Sequence, residues 1–498
     1  MRSSSRISTI GKLAISFTAA LLILAGSSVI LKAMPRARQS SLASAPLLAA
    51  NVQKEVQKTP SGACGVDEPV FDGNSDVQGI ADYGDFIRDL LHGKKFKELD
   101  CIANRDRSTK AKFSGGMWKL HEFYWAASHT KGHATEEDLK DKIELAQAWV
   151  DTIPESITAR VVLAESYIDY AWDARGSDTS DSVTDSGWKL FSERLEKAKS
   201  ILDDAAALPA KCPETYFAMQ YVALGQQWDR EKVDDLFKRA VAFEPGYFYY
   251  YRSHAYYLMP QWNGEQGDAT RFAQESADLA GGDAGDILYF QIAAKIVCAC
   301  NDPEFLSMSW PRLKKGYTLL EAKYGPSQTL LNAFALMAVK HTDWLTASDA
   351  FKRIGDGYVK STWITEEYFK QNRDIAGQIA PQLARVQAKL DEAAANAKSP
   401  DGAEYKKRVE QALLPIMRQC VLSSGNDQQK MQFAIQVGKD GSCDNLAAIN
   451  MSAAGQCISK SLYEGHVKNE KPFPVPPHEG YWVDMLLDPA AVSAKATN

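Results

Sequence analysis

Apolar residues recur at helical spacing through most of this chain. Between residues 229 and 243, apolar residues recur at helical spacing while charged residues take the other side, until Pro245 ends the pattern; the apolar set is Val233, Leu236, Phe237, Ala240 and Val241. A helical hairpin of this kind cannot bury its apolar faces alone, so it requires neighbours of the same kind. The pattern therefore predicts a mainly α protein, an α-solenoid of about seven antiparallel helix pairs with a concave face. The predicted pairs are 82–92 with 94–104, 116–128 with 136–151, 155–174 with 185–208, 214–224 with 230–243, 247–259 with 268–280, 283–300 with 305–324, and 327–340 with 343–354.

The period changes in the last fifth of the chain. Apolar and polar residues alternate in Met431–Val437, a turn follows at 438–441, and 443–449 is the predicted return strand. A short helix at 453–463 and a last strand at 481–487 complete a small α+β domain. The predicted domain boundaries are a helical-repeat domain at 79–360, a connecting helix rich in Ala and Gln at 361–402, the α+β domain at 403–490 and a tail at 491–498.

The first 32 residues have the composition of a targeting segment. Arg2, Arg6 and Lys12 precede the uncharged stretch at 13–31, "LAISFTAALLILAGSSVIL". This stretch is either a secretory signal or an uncleaved membrane anchor, and both alternatives remain open. Residues 33–78 are rich in Ser, Ala, Gln, Pro and Gly and are predicted to be a linker. We therefore expect a periplasmic protein, or one anchored in the inner membrane through 13–31 and facing the periplasm.

Composition narrows the function classes. The net charge is −6 and no basic stripe is present, which argues against nucleic acid as a partner. The chain has 8 cysteines, and an even number in an exported chain predicts disulfides, although the sequence leaves their connectivity open.

Motifs of known chemistry are missing from the sequence. It has no nucleophile elbow, no phosphate-binding loop and no dinucleotide-binding glycine motif. His129 and His133 are separated by a Thr-Lys-Gly segment that is typical of a loop, and Cys298 and Cys300 would point to different sides of a helix. We therefore predict no catalytic residue, no metal and no cofactor, and the chain is not expected to be an enzyme.

Two resemblances concern the helical region. Phe237, Ala240 and Pro245 stand at the spacing of the second half of a tetratricopeptide repeat, which implies helices stacked on one another. Residues from about 80 to 300 also resemble a bacterial family of secreted helical-repeat proteins known only as a domain of unknown function, which implies the fold but no activity. The segments that carry this resemblance are "LLHGKKFKELD", "KFSGGMWKLHEFYWA" and "YYLMPQWNGEQGDATRFAQESAD".

A third resemblance concerns the carboxyl-terminal region. The β-β-α-β order, together with Cys420, Cys457 and the Phe-Pro-x-Pro-Pro step at 473–477, resembles the C-terminal domain of TonB-type periplasmic proteins and their relatives. The resemblance covers about 404–490 and implies a compact α+β unit. It also implies that Cys420 and Cys457 lie close enough to form a disulfide.

The candidate ligand site lies in the aromatic segment "GYFYYYRSHAYYLMPQW". One stripe of this helix is enough for the core, so the second stripe is a candidate recognition surface, unless both stripes are buried between neighbouring helices. We predict that Tyr249, Arg252, Tyr256 and Trp262 contact a peptide on the concave face, with Arg252 as a forked donor to a carboxylate.

Three functions follow from these observations. The first is an exported helical-repeat scaffold that binds a protein or peptide in the cell envelope. The second is an envelope adaptor that acts through its TonB-like C-terminal domain. The third is an enzyme with an unrecognised site in the solenoid, which a cluster of buried, convergent titratable side chains would favour.

Overall fold

The computed structural model describes residues 62, 64–69, 76–132, 134–176, 179–297, 302–425, 429–449 and 451–494. The predicted leader at 1–32 and most of the predicted linker at 33–78 lie outside these residues. His133, Cys298 and Cys300 also lie outside them.

The described part of the chain is mainly helical, with 20 α-helices and a small antiparallel sheet near the carboxyl terminus. The predicted class, mainly α with a small α+β region, is therefore confirmed. The first sixteen helices are α1 (Asp76–His92), α2 (Phe96–Thr109), α3 (Lys119–Ser128), α4 (Glu136–Thr152), α5 (Ile157–Arg175), α6 (Asp185–Ala207), α7 (Pro213–Gly225), α8 (Arg230–Phe243), α9 (Tyr249–Tyr257), α10 (Asp268–Ala280), α11 (Gly282–Ile296), α12 (Asp302–Leu306), α13 (Trp310–Tyr324), α14 (Gln328–Lys340), α15 (Trp344–Ile354) and α16 (Lys360–Trp363).

Helix α8 shows how the apolar pattern sets the packing. Val233, Leu236 and Ala240 of the predicted apolar side are buried, and Phe237 and Val241 at its margin are half-buried. Its first turn is capped by Asp229, whose side chain accepts the N–H of Lys232 at 3.0 Å. The helix therefore begins and faces the core where the sequence pattern indicates.

Alternate helices form a row. Helices α1, α3, α5, α7, α9 and α11 pack against one another in that order, while α6 packs on α5 and α7, α8 on α7 and α9, and α10 on α9 and α11. The row brings the segment before α3 against the start of α9. The rings of Trp118 and Tyr247 lie 5.0 Å apart between centroids.

The loop between α2 and α3 contacts the loop between α13 and α14. Ser114 donates a hydrogen bond to the carbonyl of Pro326, and the ammonium of Lys112 lies 5.2 Å from the ring centroid of Tyr324. Helix α1 also packs against α14. The beginning and the end of the helical region are therefore in direct contact.

The sixth predicted pair differs from the structure in its second helix. The predicted helix at 305–324 is divided into α12 and α13. Glu304 on α12 explains the division, because its carboxylate accepts the N–H groups of Gly267 and Thr270 at the start of α10, each at 2.7 Å. Pro311 lies in the first turn of α13, where a helix tolerates proline.

Helix α17 (Glu366–Asn396) joins two apolar clusters. Phe369 and Ala376 near its start belong to the large cluster of the helical region. Leu390 and Ala393 near its end pack instead with Trp482 of the sheet. The predicted connecting helix is therefore also part of the core at both of its ends.

The sheet has the strand order β2-β1-β3, with β1 (Met431–Val437), β2 (Cys443–Ala448) and β3 (Tyr481–Leu487). Strand β1 is central and pairs antiparallel with both neighbours. Helices α18 (Pro400–Ser423) and α19 (Ala453–Val467) share an apolar cluster with the sheet, and α20 (Pro489–Ala494) follows β3. The predicted hairpin, helix and last strand are all present.

Among the described residues, two disulfides are present, and both join residues that are 37 positions apart. Cys420 and Cys457, the pair that the sequence singles out, connect α18 to α19 with their Cα atoms 5.5 Å apart. Cys64 and Cys101 connect the segment before α1 to α2. Disulfides are compatible with an oxidising, extracytoplasmic compartment. Within the described ranges, we find no helix with both the length and the apolarity needed to cross a membrane.

Candidate functional site

The four predicted ligand-binding residues occupy two different environments. Tyr249 is 3% exposed, its ring stacks on that of His121 at 3.6 Å between centroids, and its hydroxyl accepts the backbone N–H of Trp118 at 3.3 Å. Tyr249 therefore belongs to the core, because the segment before α3 covers the side of α9 that would have faced a ligand.

Arg252 and Tyr256 follow Tyr249 on the same side of α9, past the part that the segment before α3 covers, and they are half-buried. The guanidinium carbon of Arg252 lies 5.9 Å from the ring centroid of Phe248. Among the described residues, no carboxylate forms an ion pair with Arg252. The ring of Tyr256 carries the ammonium of Lys295 at 4.4 Å from its centroid.

Trp262 is held beside Tyr256 by the turn that follows α9. The two rings lie 5.5 Å apart, and the opposite side of Trp262 meets the ring of Trp172 at 5.9 Å. The turn depends on Gly264, because a Cβ atom there would collide with the backbone of Leu258. A distinctive part of the sequence, "LMPQWNG", therefore serves to position an indole.

Helix α7 extends this surface with two half-buried rings, Phe217 and Tyr221, which lie 5.1 Å apart. Phe217 also meets His121 edge-on at 4.9 Å. We call the partly exposed surface formed by Phe217, Tyr221, Arg252, Tyr256 and Trp262 the aromatic face. Aromatic residues and arginine are the residue types that dominate protein recognition surfaces.

A network of buried polar groups lies beneath the aromatic face. Glu214 of α7 is 1% exposed, and one of its oxygens lies 2.8 Å from Nδ1 of His121. Its other oxygen accepts the hydroxyl of Tyr247. Glu165 of α5 is 5% exposed and hydrogen-bonds to Glu214 through its carboxyl group. The network thus connects α3, α5, α7 and the segment directly before α9.

The number of available protons defines the state of Glu165. The hydroxyl oxygen of Ser128 lies 2.7 Å from the carbonyl of Tyr124, 2.8 Å from Nδ1 of His129 and 3.0 Å from Glu165. Ser128 donates to the Tyr124 carbonyl and to Glu165. The contact between Glu165 and Glu214 needs a proton on at least one of the two carboxyl groups, and burial favours that proton on Glu165.

Burial controls the titration of this network. Burial and the neighbouring Glu214 carboxylate raise the pKa of Glu165 well above its ordinary value. Burial also raises the pKa of Glu214 to about 8, although hydrogen bonds from Tyr247 and Glu165 oppose the rise. Burial, with the positive charge of Arg252, lowers the pKa of His121 to about 3. The carboxyl groups thus retain protons at neutral pH, and His121 is uncharged.

Sequence reasoning missed His121, Glu165 and Glu214. Glu165 could have been noticed in the sequence, because it directly follows the apolar run 161–164. In the structure, almost all residues of this helix from Ile157 to Ser166 are buried. Glu214 directly follows Pro213 and so has the position of an ordinary helix-start carboxylate. No local pattern connects it to a histidine 93 residues away.

No metal centre is found in the described part of the chain, where no group of three or more His, Cys, Asp and Glu side chains is arranged to hold an ion. Cys212 and Cys443 are buried free thiols. His129 lies directly after α3, and His133, with which it could share a helical face, lies outside the described residues.

These features define a disulfide-containing helical protein with a small antiparallel sheet, an aromatic face and a buried acid–imidazole network beneath it. No model of a known protein family matches the chain, and neither a curated protein nor a solved structure matches it.

Proposed function

We propose that this chain is an exported helical-repeat scaffold that binds a protein or peptide of the cell envelope on its aromatic face. Its helix pairs stack as an α-solenoid, and residues 13–31 anchor it in the membrane if they are not cleaved. Neither nucleic acid nor a cofactor takes part. The two disulfides and the leader-like composition of residues 1–32 support the extracytoplasmic location.

One observation carries the binding function. Arg252 is a half-buried guanidinium among aromatic rings, and no described carboxylate compensates its charge. Neighbouring arginines on the surface are paired within their own helices, as Arg239 is with Asp235 and Arg271 with Asp268. An unpaired arginine beside half-buried rings is suited to an acidic group next to an apolar residue of a peptide.

Peptide selection tests this function. The purified exported part of the chain is used to select from a random peptide library, and selected peptides are titrated against Arg252→Ala and Tyr256→Ala. We expect enrichment of peptides with an acidic residue beside an aromatic or aliphatic one. Each substitution should weaken binding by about 2 kcal/mol, because both residues are central to the face.

Arg239→Ala is the matched control, because Arg239 is an exposed arginine on α8 that pairs with Asp235. It should leave peptide binding unchanged. Melting temperatures of all variants separate lost binding from lost folding. Selected peptides that bind Arg252→Ala and the wild type equally well would contradict the proposal.

The envelope adaptor is the second candidate, and the strand order β2-β1-β3 favours it. Both β2 and β3 are edge strands of the described sheet, and an edge strand can pair with an extended segment of another protein. Under this function, Arg252→Ala would leave partner capture unchanged. Leu486→Asp, on the exposed side of β3, would abolish it.

An enzyme in the helical region receives less support. The buried network does contain convergent titratable groups, but Glu165 and Glu214 are only 5% and 1% exposed. Catalytic acids and bases must come within hydrogen-bond distance of the substrate. A substrate on the surface would not reach these carboxyl groups.

A further inference from the structure

We infer that the aromatic face contains a carboxylate-binding site in which the guanidinium of Arg252 and the Nε2–H of His121 act together. We further infer that protonation of Glu214 switches this site on by setting the tautomer of His121. The inference rests on the proposed function and names the ligand chemistry and the regulation of that surface.

His121 is fixed in the position that such a site requires. Its ring is held between the stacked ring of Tyr249 and the edge-on ring of Phe217, and its Nδ1 lies 2.8 Å from Glu214. The side chain is 13% exposed, and Nε2 has no hydrogen-bond partner in the described part of the chain. A histidine with one nitrogen held by a carboxyl group and the other free presents a single, oriented nitrogen.

Arg252 supplies the charge of the site. It follows Tyr249 by three positions on α9, so it lies on the same side of that helix as the tyrosine that stacks on His121. The charge of Arg252 acts directly on the His121 ring. A guanidinium and an imidazole N–H on one surface can bind the two oxygens of a carboxylate.

The tautomer of His121 depends on the proton of Glu214. When Glu214 is neutral, its own O–H donates to Nδ1 of His121, so the imidazole proton must be on Nε2. When Glu214 is ionised, Nδ1–H donates to the carboxylate and Nε2 has a lone pair. On ionisation, one proton leaves Glu214 for the solvent and the imidazole proton moves from Nε2 to Nδ1 through water. The surface then loses a donor and gains an acceptor that repels a bound carboxylate.

The switch depends on the ionisation of Glu214 alone, because Glu165 does not ionise in the same pH range. Glu165 stays protonated because it is buried and its proton forms the hydrogen bond to Glu214, so Glu214 is the group that ionises first. The other titratable or charged groups around the pair come from all the elements packed on it. They are His121 and Tyr124 of α3, His129 directly after α3, Asp169 of α5, Cys212 beside α7, Tyr247 before α9, and Tyr249, Tyr250 and Arg252 of α9.

The pH range of the switch follows from burial. Burial raises the pKa of Glu214 to about 8, so the carboxylate-binding form dominates at neutral pH. Glu122 is the remaining acid of this side of α3, where burial raises its pKa to about 7 and Arg88 opposes the rise. Ionisation of Glu122 adds negative charge near Tyr249. Like the ionisation of Glu214, it therefore weakens the binding of a carboxylate.

Nitrogen NMR of histidine-labelled protein tests the tautomer without any ligand. The resonances of His121 are assigned by comparison with His121→Gln. We expect the Nε2–H tautomer at pH 7 and the Nδ1–H tautomer at pH 9, with no imidazolium in between. Glu214→Gln should hold one tautomer across this range, since its amide does not ionise. A wild-type His121 that keeps one tautomer from pH 7 to pH 9 would overturn the inference.

Binding of N-acetyl-tyrosine tests the site itself, with N-acetyl-tyrosinamide as the uncharged control. Wild-type affinity for the acid should fall about tenfold from pH 7 to pH 9, because the protonated fraction of a group with a pKa of about 8 falls by that factor. Glu165→Gln should keep this fall, and Glu214→Gln should lose it. A second variant, His121→Gln, should weaken binding at pH 7.

The outcomes separate this inference from the proposed function. Binding of the acid that is equal at pH 7 and pH 9, or an equal fall in the wild type and Glu214→Gln, overturns the inference alone. Arg252-dependent, pH-dependent binding of N-acetyl-tyrosine without any selected peptide supports the carboxylate site and overturns the peptide-binding function.

Discussion

The amide of Asn332 organises the end of the helical region. Asn332 is 0% exposed in α14. Its nitrogen donates to the carbonyls of Gln328 and Gly357 at 2.8 and 3.0 Å, and its oxygen accepts from the backbone N–H of Val359 and the indole N–H of Trp363 at 3.1 and 2.9 Å. All four hydrogen-bonding positions of the amide are therefore used.

We predict that Asn332→Asp destabilises the protein strongly although it changes no volume. The carboxylate retains the two accepted bonds but meets two carbonyl oxygens where the amide donated, and a buried charge without a partner is costly. The free energy of unfolding in urea should fall by about 3 kcal/mol. Asn104→Asp, at an exposed residue of α2, is the control and should change it by less than about 0.5 kcal/mol. Equal effects of the two substitutions would refute this role.

At the scale of single residues, the sequence predicts which residues are apolar but not which polar residues are buried. The aromatic stripes of α9 were recognisable, and Arg252 and Tyr256 are partly exposed, as a recognition surface requires. Tyr249 is buried because it contacts Trp118, which is 131 residues away. Helical periodicity describes one helix at a time and does not contain such contacts.

At the scale of elements, the convergence of α3, α5 and α7 places carboxyl groups where they cannot ionise easily. In Glu165 and Glu214, the folded-state pKa is raised above the unfolded-state value. Such groups contribute stability that is fully present below the unfolded-state pKa and is lost as the pH rises through the folded-state pKa. Burial lowers the pKa values of His121 and His129. These histidines therefore reduce stability as the pH falls, and they do so only below about pH 6.5.

We therefore predict that the wild-type free energy of unfolding falls by at least about 2 kcal/mol between pH 6.5 and pH 8.5, measured by urea denaturation, and Glu214 alone accounts for about that much. The double variant Glu165→Gln/Glu214→Gln should have a clearly shallower dependence in this range, because amides do not titrate. Asp203→Asn, at an exposed acid of α6, should leave the slope unchanged. A double variant with the wild-type slope would show that the protons are bound elsewhere.

The elements themselves were largely predictable. The strands Met431–Val437 and Tyr481–Leu487 have the predicted bounds, although α17 also covers Ala434 and Trp482 on the second face of the sheet. The break between α12 and α13 was not predictable, because it depends on Glu304 reaching the start of α10. The sequence also did not predict that the two ends of α17 pack in two different apolar clusters, because an Ala-rich sequence is equally typical of an exposed linker helix.

At the scale of the whole described unit, two glycines permit the contact between the α2–α3 loop and the α13–α14 loop. A Cβ atom on Gly115 would lie 2.5 Å from Cβ of Ser327, and one on Gly116 would lie 2.7 Å from the ring of Tyr324. Both glycines also have positive φ angles, 77° and 82°. The two loops can approach each other only where side chains are absent.

We predict that Gly116→Ala weakens this contact and destabilises the protein by about 3 kcal/mol, through backbone strain and the clash with Tyr324. Hydrogen exchange should accelerate at the start of α14. Gly132→Ala is the matched control, because Gly132 has a φ of 79° but no atom within 4 Å of the added Cβ. It should cost only about 1 kcal/mol of strain. If both alanines cost the same, the approach of the two loops does not contribute to stability.

The contact between Ser114 and Pro326 also constrains the order in which the chain can fold. The two residues are 212 positions apart, and a ribosome completes the first long before the second. Helices α1 to α3 emerge early but find their last neighbours only after α13 has been made. Contacts over such long sequence distances form slowly. The early helices therefore complete their packing only when the late helices are available. In a chain truncated before residue 324, the surface of α1 and of the loop before α3 that these late elements cover would be exposed and prone to aggregation.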